Sequence, residues 1–240
     1  MSGKVLIYGG SGAVGSASAR LLKEMGYDLH LAGSNEEKLE KIANELGAGM
    51  SVADIRDPES FKRVSEEAGK DLAGLIYAVG TINLKSVRRL EAEEFMNDFK
   101  MNALGAVLAV QAAIPALKKH QGSSVVFYSS VAVQQGLSMH SSLSMAKGAV
   151  EGLVRALAAE LAPQIRVNGI APSLLQDSDL SLGILKDQNA IDSMAKNHAL
   201  KRLGKSKDIA SLTSFLISDR AGWITGQIIG VDGGRSVIQV

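Results

Sequence analysis

Seven short apolar runs, each separated from the next by a longer helical pattern, constrain this chain more than any other feature of its sequence. Lys4–Tyr8, Asp28–Ala32, Met50–Val52, Gly74–Val79, Ser124–Ser129, Arg166–Ala171 and Ile228–Val231 are rich in β-branched residues and predict strands. Several are nearly continuous apolar segments, which is how strands read when helices cover both faces. The alternation predicts an α/β fold: a single-domain, doubly wound parallel sheet of about seven strands with helices on both faces, spanning residues 1–240. No internal repeat, low-complexity tract or shift in composition divides it.

Helix boundaries carry local signals. Ser34-Asn35-Glu36-Glu37 reads as a capping box with Ser34 as the cap, and Asp57-Pro58 places a cap side chain before a first-turn proline. Gly47 and Gly49 are expected to close the second helix and Gly69 the third. Val150, Leu153, Val154, Leu157 and Leu161 form an apolar stripe between Gly148 and Ala162, so that helix lies on the core. The polar stretch from Ser173 to about Asn189 is too long for an ordinary connection, and is either a lid or a solvated insertion.

Composition narrows the function classes. With 26 Lys plus Arg against 25 Asp plus Glu and no basic block, the chain offers no footprint for nucleic acid or a membrane surface. A small-molecule substrate is expected instead. The absence of Cys excludes disulfides and thiolate chemistry, and His30, His120, His140 and His198 form no ligand-spaced pair, so no metal site is expected. Ala103–Leu117, interrupted by Gln111 and Pro115, falls short of the ~20 apolar residues of a membrane span and reads as a core helix. Met1-Ser2-Gly3-Lys4 runs into the first strand without an export leader, and a cytoplasmic location is expected.

The chemistry begins at Gly9-Gly10-Ser11-Gly12-Ala13-Val14-Gly15, which follows the first strand and opens a helix. Such glycines let a backbone approach a diphosphate, and the helix N-terminus offers free N–H groups and partial positive charge; the same pattern also serves as a tight turn with close helix packing. Gly9, Ser11, Gly12, Val14 and Gly15 are therefore candidate cofactor contacts. An acid that would hold the ribose hydroxyls of NAD is missing after the second strand, where Ser34, Asn35 and Lys38 stand. That favours NADP over NAD, although Ser34 also has its capping role.

From residue 4 to about 234 the chain resembles the short-chain dehydrogenase/reductase family, a single Rossmann-type domain. The resemblance rests on the glycine turn, Asp54-Ile55, Asn102, Ser130, Lys147, Arg166-Val167-Asn168-Gly169-Ile170-Ala171-Pro172, Ile224-Thr225-Gly226-Gln227 and Val231-Asp232-Gly233-Gly234, in order and spacing. It implies that Asp54 and the backbone at Ile55 border the adenine, that Ala78, Gly80 and Pro172 line the dinucleotide, and that Lys147 binds the nicotinamide ribose. It further implies that Ser130 orients a substrate carbonyl and that Asn102 kinks its helix and holds a proton-relaying water. Taken singly, Asp54 also reads as a turn residue, Ser130 as a strand-end hydroxyl, Lys147 as a solvated lysine and Asn102 as an interior polar group.

The family's catalytic tyrosine falls at position 143, which is Leu143. Tyr77-Ala78-Val79-Gly80, Pro172-Ser173, Ala13 and Asp177 depart from the family pattern as well, Asp177 standing where a threonine touches the carboxamide. A proton must come from elsewhere, and His140 is the candidate acid/base, with Tyr128 and Tyr77 chemically suited but Tyr128 expected to point away. The reading is an NAD(P)(H)-dependent oxidoreductase moving hydride between nicotinamide and a carbonyl or alcohol. The alternative is a relative that binds the dinucleotide without redox turnover. A homodimer or homotetramer is expected, with the apolar tail Val237–Val240 at an interface.

Overall fold

The computed structural model describes residues 3–239. All seven strands are parallel and form one sheet in the order β3-β2-β1-β4-β5-β6-β7: β1 Lys4–Tyr8, β2 Asp28–Gly33, β3 Gly49–Val52, β4 Leu72–Tyr77, β5 Ser123–Tyr128, β6 Ile165–Pro172 and β7 Ile228–Val231. The order reverses between β1 and β4, which opens a crevice at the carboxyl ends of those strands, where ligands bind in open α/β sheets. Each predicted strand is present, displaced by at most two residues.

Side-chain alternation along the strands builds two cores. Leu6, Leu75, Val125 and Val167 face α3 (Glu59–Ala68), α5 (Gly105–Leu117) and α6 (Ser141–Leu161). Val5, Ile7, Ile76 and Val126 face α1 (Ala13–Glu24), α2 (Glu36–Leu46) and α8 (Ser206–Ile217). Burial on both faces, worth roughly 1.5–3 kcal/mol for each large apolar side chain, explains the continuous apolar character of the strands.

Several boundaries correct the sequence reading. Asn35, not Ser34, caps α2, its Oδ1 accepting from Lys38 N at 2.9 Å. Gly47 ends that helix in the left-handed region (φ 58°), whereas Gly49 opens β3, where a Cβ would lie 2.8 Å from His30 Nδ1. Asp57 does receive the Glu59 amide, at 3.1 Å. The stripe of α6 packs as expected, but the helix starts at Ser141 and His140 is its cap residue. Between Ser173 and α7 (Gln188–Lys196) the chain is mostly irregular, with one short turn at Asp179–Ser181. The apolar stretch before β5 is longer than expected: α4 (Ala92–Phe99), a π turn at Lys100–Leu104 and α5 run on as one 26-residue helix, long and apolar enough to cross a membrane by length and composition. Half of its most apolar window is buried within the protein, the position of a core helix. Of the terminal readings, Met1, Ser2 and Val240 lie outside the described residues, while Val237 and Ile238 are exposed.

Candidate active site

The turn between β1 and α1 is shaped by contacts that only glycine permits. Gly9 has φ +76° and a Cβ there would sit 2.7 Å from Ala78 O, while one on Gly15 would sit 2.1 Å from Gly9 O. The Gly9 and Gly10 amides both donate to Ala32 O, at 2.8 and 3.0 Å, which pins the turn to β2. Gly12 differs: a Cβ there meets only Gly9 O, at 3.3 Å, so open space lies before the first turn of α1 and its unpaired amides.

From Val14 a cavity of about 480 Å³ extends across the carboxyl ends of β4, β5 and β6. Ala78, Gly80, Ser130, Lys147 and Pro172 line it, so the geometry brings together these expected contacts from four separate segments. Leu143, one turn before Lys147 on α6, lies on the same wall and is buried. The rest is largely apolar and includes Leu174, Leu180, Ile184 and Met194 from the Ser173–Asn189 stretch and α7, so that excursion forms the cavity's outer wall.

Lys147 is held by a buried polar network. Its Nζ donates to Tyr128 O at 2.8 Å, the carbonyl at the end of β5. Asp98 lies nearby, accepting from Thr81 Oγ1 at 2.6 Å and from Ser142 Oγ at 2.5 Å. Asn102 Nδ2 donates to Thr81 Oγ1 at 3.0 Å and to Asp98 O at 2.8 Å, and this residue occupies the π turn as the resemblance implies. Tyr77 supports the wider turn, its hydroxyl donating to Met101 O at 2.8 Å in the place where a Cβ on Gly105 would have to be. Asn102 Oδ1 is buried and unpartnered, and it and Lys147 Nζ both crowd one point, lying 2.9 and 3.3 Å from where a Gly80 Cβ would be. An acceptor and a cationic donor converging beside a glycine fit a ribose diol or a bridging water, and the open turn at Gly12 fits a diphosphate.

Burial pulls the Lys147 ammonium down to about 8, opposed by the Asp98 charge. Between that pH and the ordinary lysine value the unfolded chain binds more protons than the folded one, so stability rises as pH climbs through this window. Melting curves from pH 7 to 10 are expected to show this gain, and Lys147→Met is expected to remove it.

Other expected residues lie elsewhere. Asp54 is held by Arg56 in a two-pronged ion pair, the closest contact being 2.7 Å, and neither Asp54 nor Ile55 lines the cavity. Ser34 and Asn35 are exposed at the end of β2, and Lys38 Nζ pairs with Asp179 at 3.1 Å. His140 lines the cavity, its Nδ1–H donating to Ser138 O at 2.7 Å, which leaves Nε2 available. Tyr77 is ruled out as a proton donor because it is buried beneath the π turn and burial pushes its phenol far above the usual range. Tyr128 does point away: its hydroxyl meets Thr213 Oγ1 at 2.9 Å and burial pushes it up to about 12. Asp177 misses the cavity altogether, since both its oxygens are taken by the amide and hydroxyl of Ser206, at 2.8 and 2.7 Å.

Three groups at the site leave little mark in the sequence. Thr81 comes from the loop after β4, Asp98 from α4 and Ser142 from α6, and the one legible hint is the i, i+4 spacing of Asp98 and Asn102. Ser129 Oγ donates to the buried Glu151 carboxylate at 2.8 Å. Ser173 Oγ lies 2.9 Å from His198 Nε2, across 25 residues of chain.

Residues 10–236 match a family model described as enoyl-(acyl carrier protein) reductase. The chain is 32% identical over 234 residues to a 3-oxoacyl-[acyl-carrier-protein] reductase of Bos taurus, covering 95% of each. It is 33% identical over 248 residues to a tropinone reductase homolog of Arabidopsis thaliana, covering 99% of this chain and 94% of that one. Among solved structures, a short-chain dehydrogenase/reductase (glucose/ribitol dehydrogenase) from Brucella melitensis superposes with a TM-score of 0.92 at 28% identity, covering 98% of this chain and 97% of the other.

Proposed function

The chain belongs to the short-chain dehydrogenase/reductase family of NAD(P)(H)-dependent oxidoreductases acting on carbonyls and alcohols, and we propose that it binds NADP(H) in preference to NAD(H) and turns over a small, largely apolar carbonyl or alcohol. The observation that carries this reading is the single cavity reaching from Val14 at the start of α1 to Ser130 and Lys147. When bound, the nicotinamide supplies hydride transfer to or from the substrate carbon. Gly9, Ser11, Gly12, Val14 and Gly15 would hold the diphosphate, Asp54 and Ile55 the adenine, and Ala78, Gly80 and Pro172 the path to the nicotinamide. Ser34, Asn35 and Lys38 would take the 2′-phosphate, with Lys38 exchanging its exposed partner Asp179 for it.

In this reading Lys147 holds the ribose hydroxyls, Asn102 a relay water, and Ser130 the substrate oxygen. Ser130 is preset for that task because its Oγ accepts from Ala132 N at 3.2 Å, which leaves the hydroxyl proton to donate. His140, at the half-exposed start of α6, serves as acid/base between cavity and solvent. The names of the relatives support a reductase of this kind, and the reductases of acyl-carrier-protein substrates and of ketones agree with an apolar cavity.

Titrating NADPH and NADH against nucleotide fluorescence tests the reading, followed by turnover against a panel of carbonyls and alcohols. NADPH is expected to bind about tenfold tighter or better, because Ser34 and Asn35, not a carboxylate, stand directly at the end of β2 where the ribose would lie. Failure of both nucleotides to bind overturns it, and binding without turnover assigns the chain to the non-redox alternative. We also propose a homodimer or homotetramer in the cytoplasm; exposed Leu104 and Met145 beside the α5–α6 face support association, and solution mass tests it.

A further inference from the structure

The long excursion that walls the cavity begins at Ser173 and returns at His198, and its two ends meet in a hydrogen bond. His198 is buried at 1% exposure, with Nδ1 2.9 Å from Met194 O and Nε2 2.9 Å from Ser173 Oγ. A carbonyl only accepts, so Nδ1 carries the proton; in the neutral ring Nε2 is then the acceptor and Ser173 the donor. A hydroxyl backed by an imidazole that a third group orients is the arrangement that activates serine in unrelated enzymes. Ser173 faces the cavity. Ser130 lines it too, and both serines lie just beyond the paired ends of β5 and β6, where Ser129 N donates to Ile170 O at 2.7 Å.

We propose that Ser173 and His198 form the proton-accepting pair of the cavity, taking the proton of a substrate alcohol whose oxygen Ser130 also binds. This rests on the reading above and names the group that does what a phenol at Leu143 would do. The substrate O–H proton passes to Ser173 Oγ as the serine proton passes to His198 Nε2, giving an imidazolium that still donates through Nδ1 to Met194 O. With an oxidised nicotinamide bound, the carbinol C–H bond would break with its electron pair leaving as hydride to that oxidant as the C=O bond forms. One alcohol is oxidised, one nicotinamide is reduced, and one proton rests on His198 until solvent takes it. His140 at the mouth is then an exchange group rather than the contact to substrate.

The environment of His198 suits a base. Burial holds its pKa below the ordinary imidazole value, opposed by the Met194 hydrogen bond and the Asp232 charge and helped by Arg235, so the neutral ring that can accept a proton is favoured. These are the charged groups facing it: both come from the segment after β7, while α7 offers it only the Met194 carbonyl and the Ala195 backbone. The Asp232 carboxylate is fixed by the Gly234 and Ser236 amides and the Ser236 hydroxyl, and stands ready to stabilise the imidazolium.

Labelling with a fluorophosphonate, mapped by mass spectrometry, reads hydroxyl activation without any nucleotide. Label is expected on Ser173, with a rate that rises with pH as the imidazole deprotonates and falls about 100-fold in His198→Asn. In parallel, Ser173→Ala is expected to lose about 10²–10⁴-fold in alcohol oxidation while NADPH fluorescence titration is unchanged. Should His198→Asn melt early, Ser173→Ala and the pH profile of wild-type labelling decide alone. Label confined to Ser130, no label at all, a rate indifferent to pH, or full turnover by Ser173→Ala overturns the pair. Failure of the nucleotide to bind overturns the cofactor reading instead, and labelling still reports on the pair.

Discussion

Gly15→Val is expected to abolish measurable NADPH binding and to lower the melting temperature by roughly 10 °C, whereas Gly12→Ala is expected to lose binding while melting like wild type. The two glycines are three residues apart in one turn, but they meet different surroundings. A Cβ on Gly15 would lie 2.1 Å from Gly9 O and 2.9 Å from Gly9 C, both backbone atoms. Gly9 cannot retreat without breaking the hydrogen bond its amide donates to Ala32 O at 2.8 Å, which ties the turn to β2. Either α1 moves off the sheet or the turn opens, at a cost of about 3–4 kcal/mol, and each kcal/mol is worth about 2–4 °C in a chain of this size. Gly12 has φ −73° and a Cβ there meets only Gly9 O, at 3.3 Å, so alanine asks the turn to give by no more than a few tenths of an ångström. Its methyl instead enters the space assigned to the diphosphate. Calorimetry with NADPH and thermal melts of both variants separate the two effects, and a Gly12→Ala protein that binds normally would remove the diphosphate from this turn.

That contrast also marks what was legible in the sequence. The seven strands, their parallel order and the glycine turn follow from local patterns: β-branched runs buried on two faces, and a turn whose backbone contacts exclude side chains. Spacing and resemblance point to Ser130, Lys147, Ala78, Gly80 and Pro172, and these share a cavity because all lie at or beyond the carboxyl ends of strands or face those ends from α6. Asp177 went astray because a loop position does not say which way a carboxylate turns, and here the free amide and hydroxyl at Ser206 capture it. Asp98 and Ser142 stayed hidden because their partnership needs α4 against α6, a contact no local pattern encodes. The same holds for His198, which looks like an isolated histidine until α7 folds back on Ser173.

Leu143→Tyr is expected to raise turnover by about 10²–10⁴-fold, and in a Ser173→Ala background to restore most of what that change removes. Leu143 and Lys147 are four residues apart on α6, so a phenol at 143 shares the face that carries the ammonium. The side chain is 4% exposed yet borders the cavity of about 480 Å³, which gives the added hydroxyl room without forcing the core apart. An ordinary phenol, with a pKa near 10, is a poor base at neutral pH, but a cation one helical turn away favours the phenolate. Lys147, drawn down to about 8 by burial, is still largely charged at pH 7 and able to act in this way. The nucleotide contacts are untouched, so NADPH affinity is expected to stay within a few-fold of wild type. Steady-state kinetics of the single and double variants, read beside nucleotide binding, check the result. If binding persists and neither background gains, the substrate oxygen is not held between Ser130 and α6, and the reacting carbon must lie nearer the Ser173 side of the cavity.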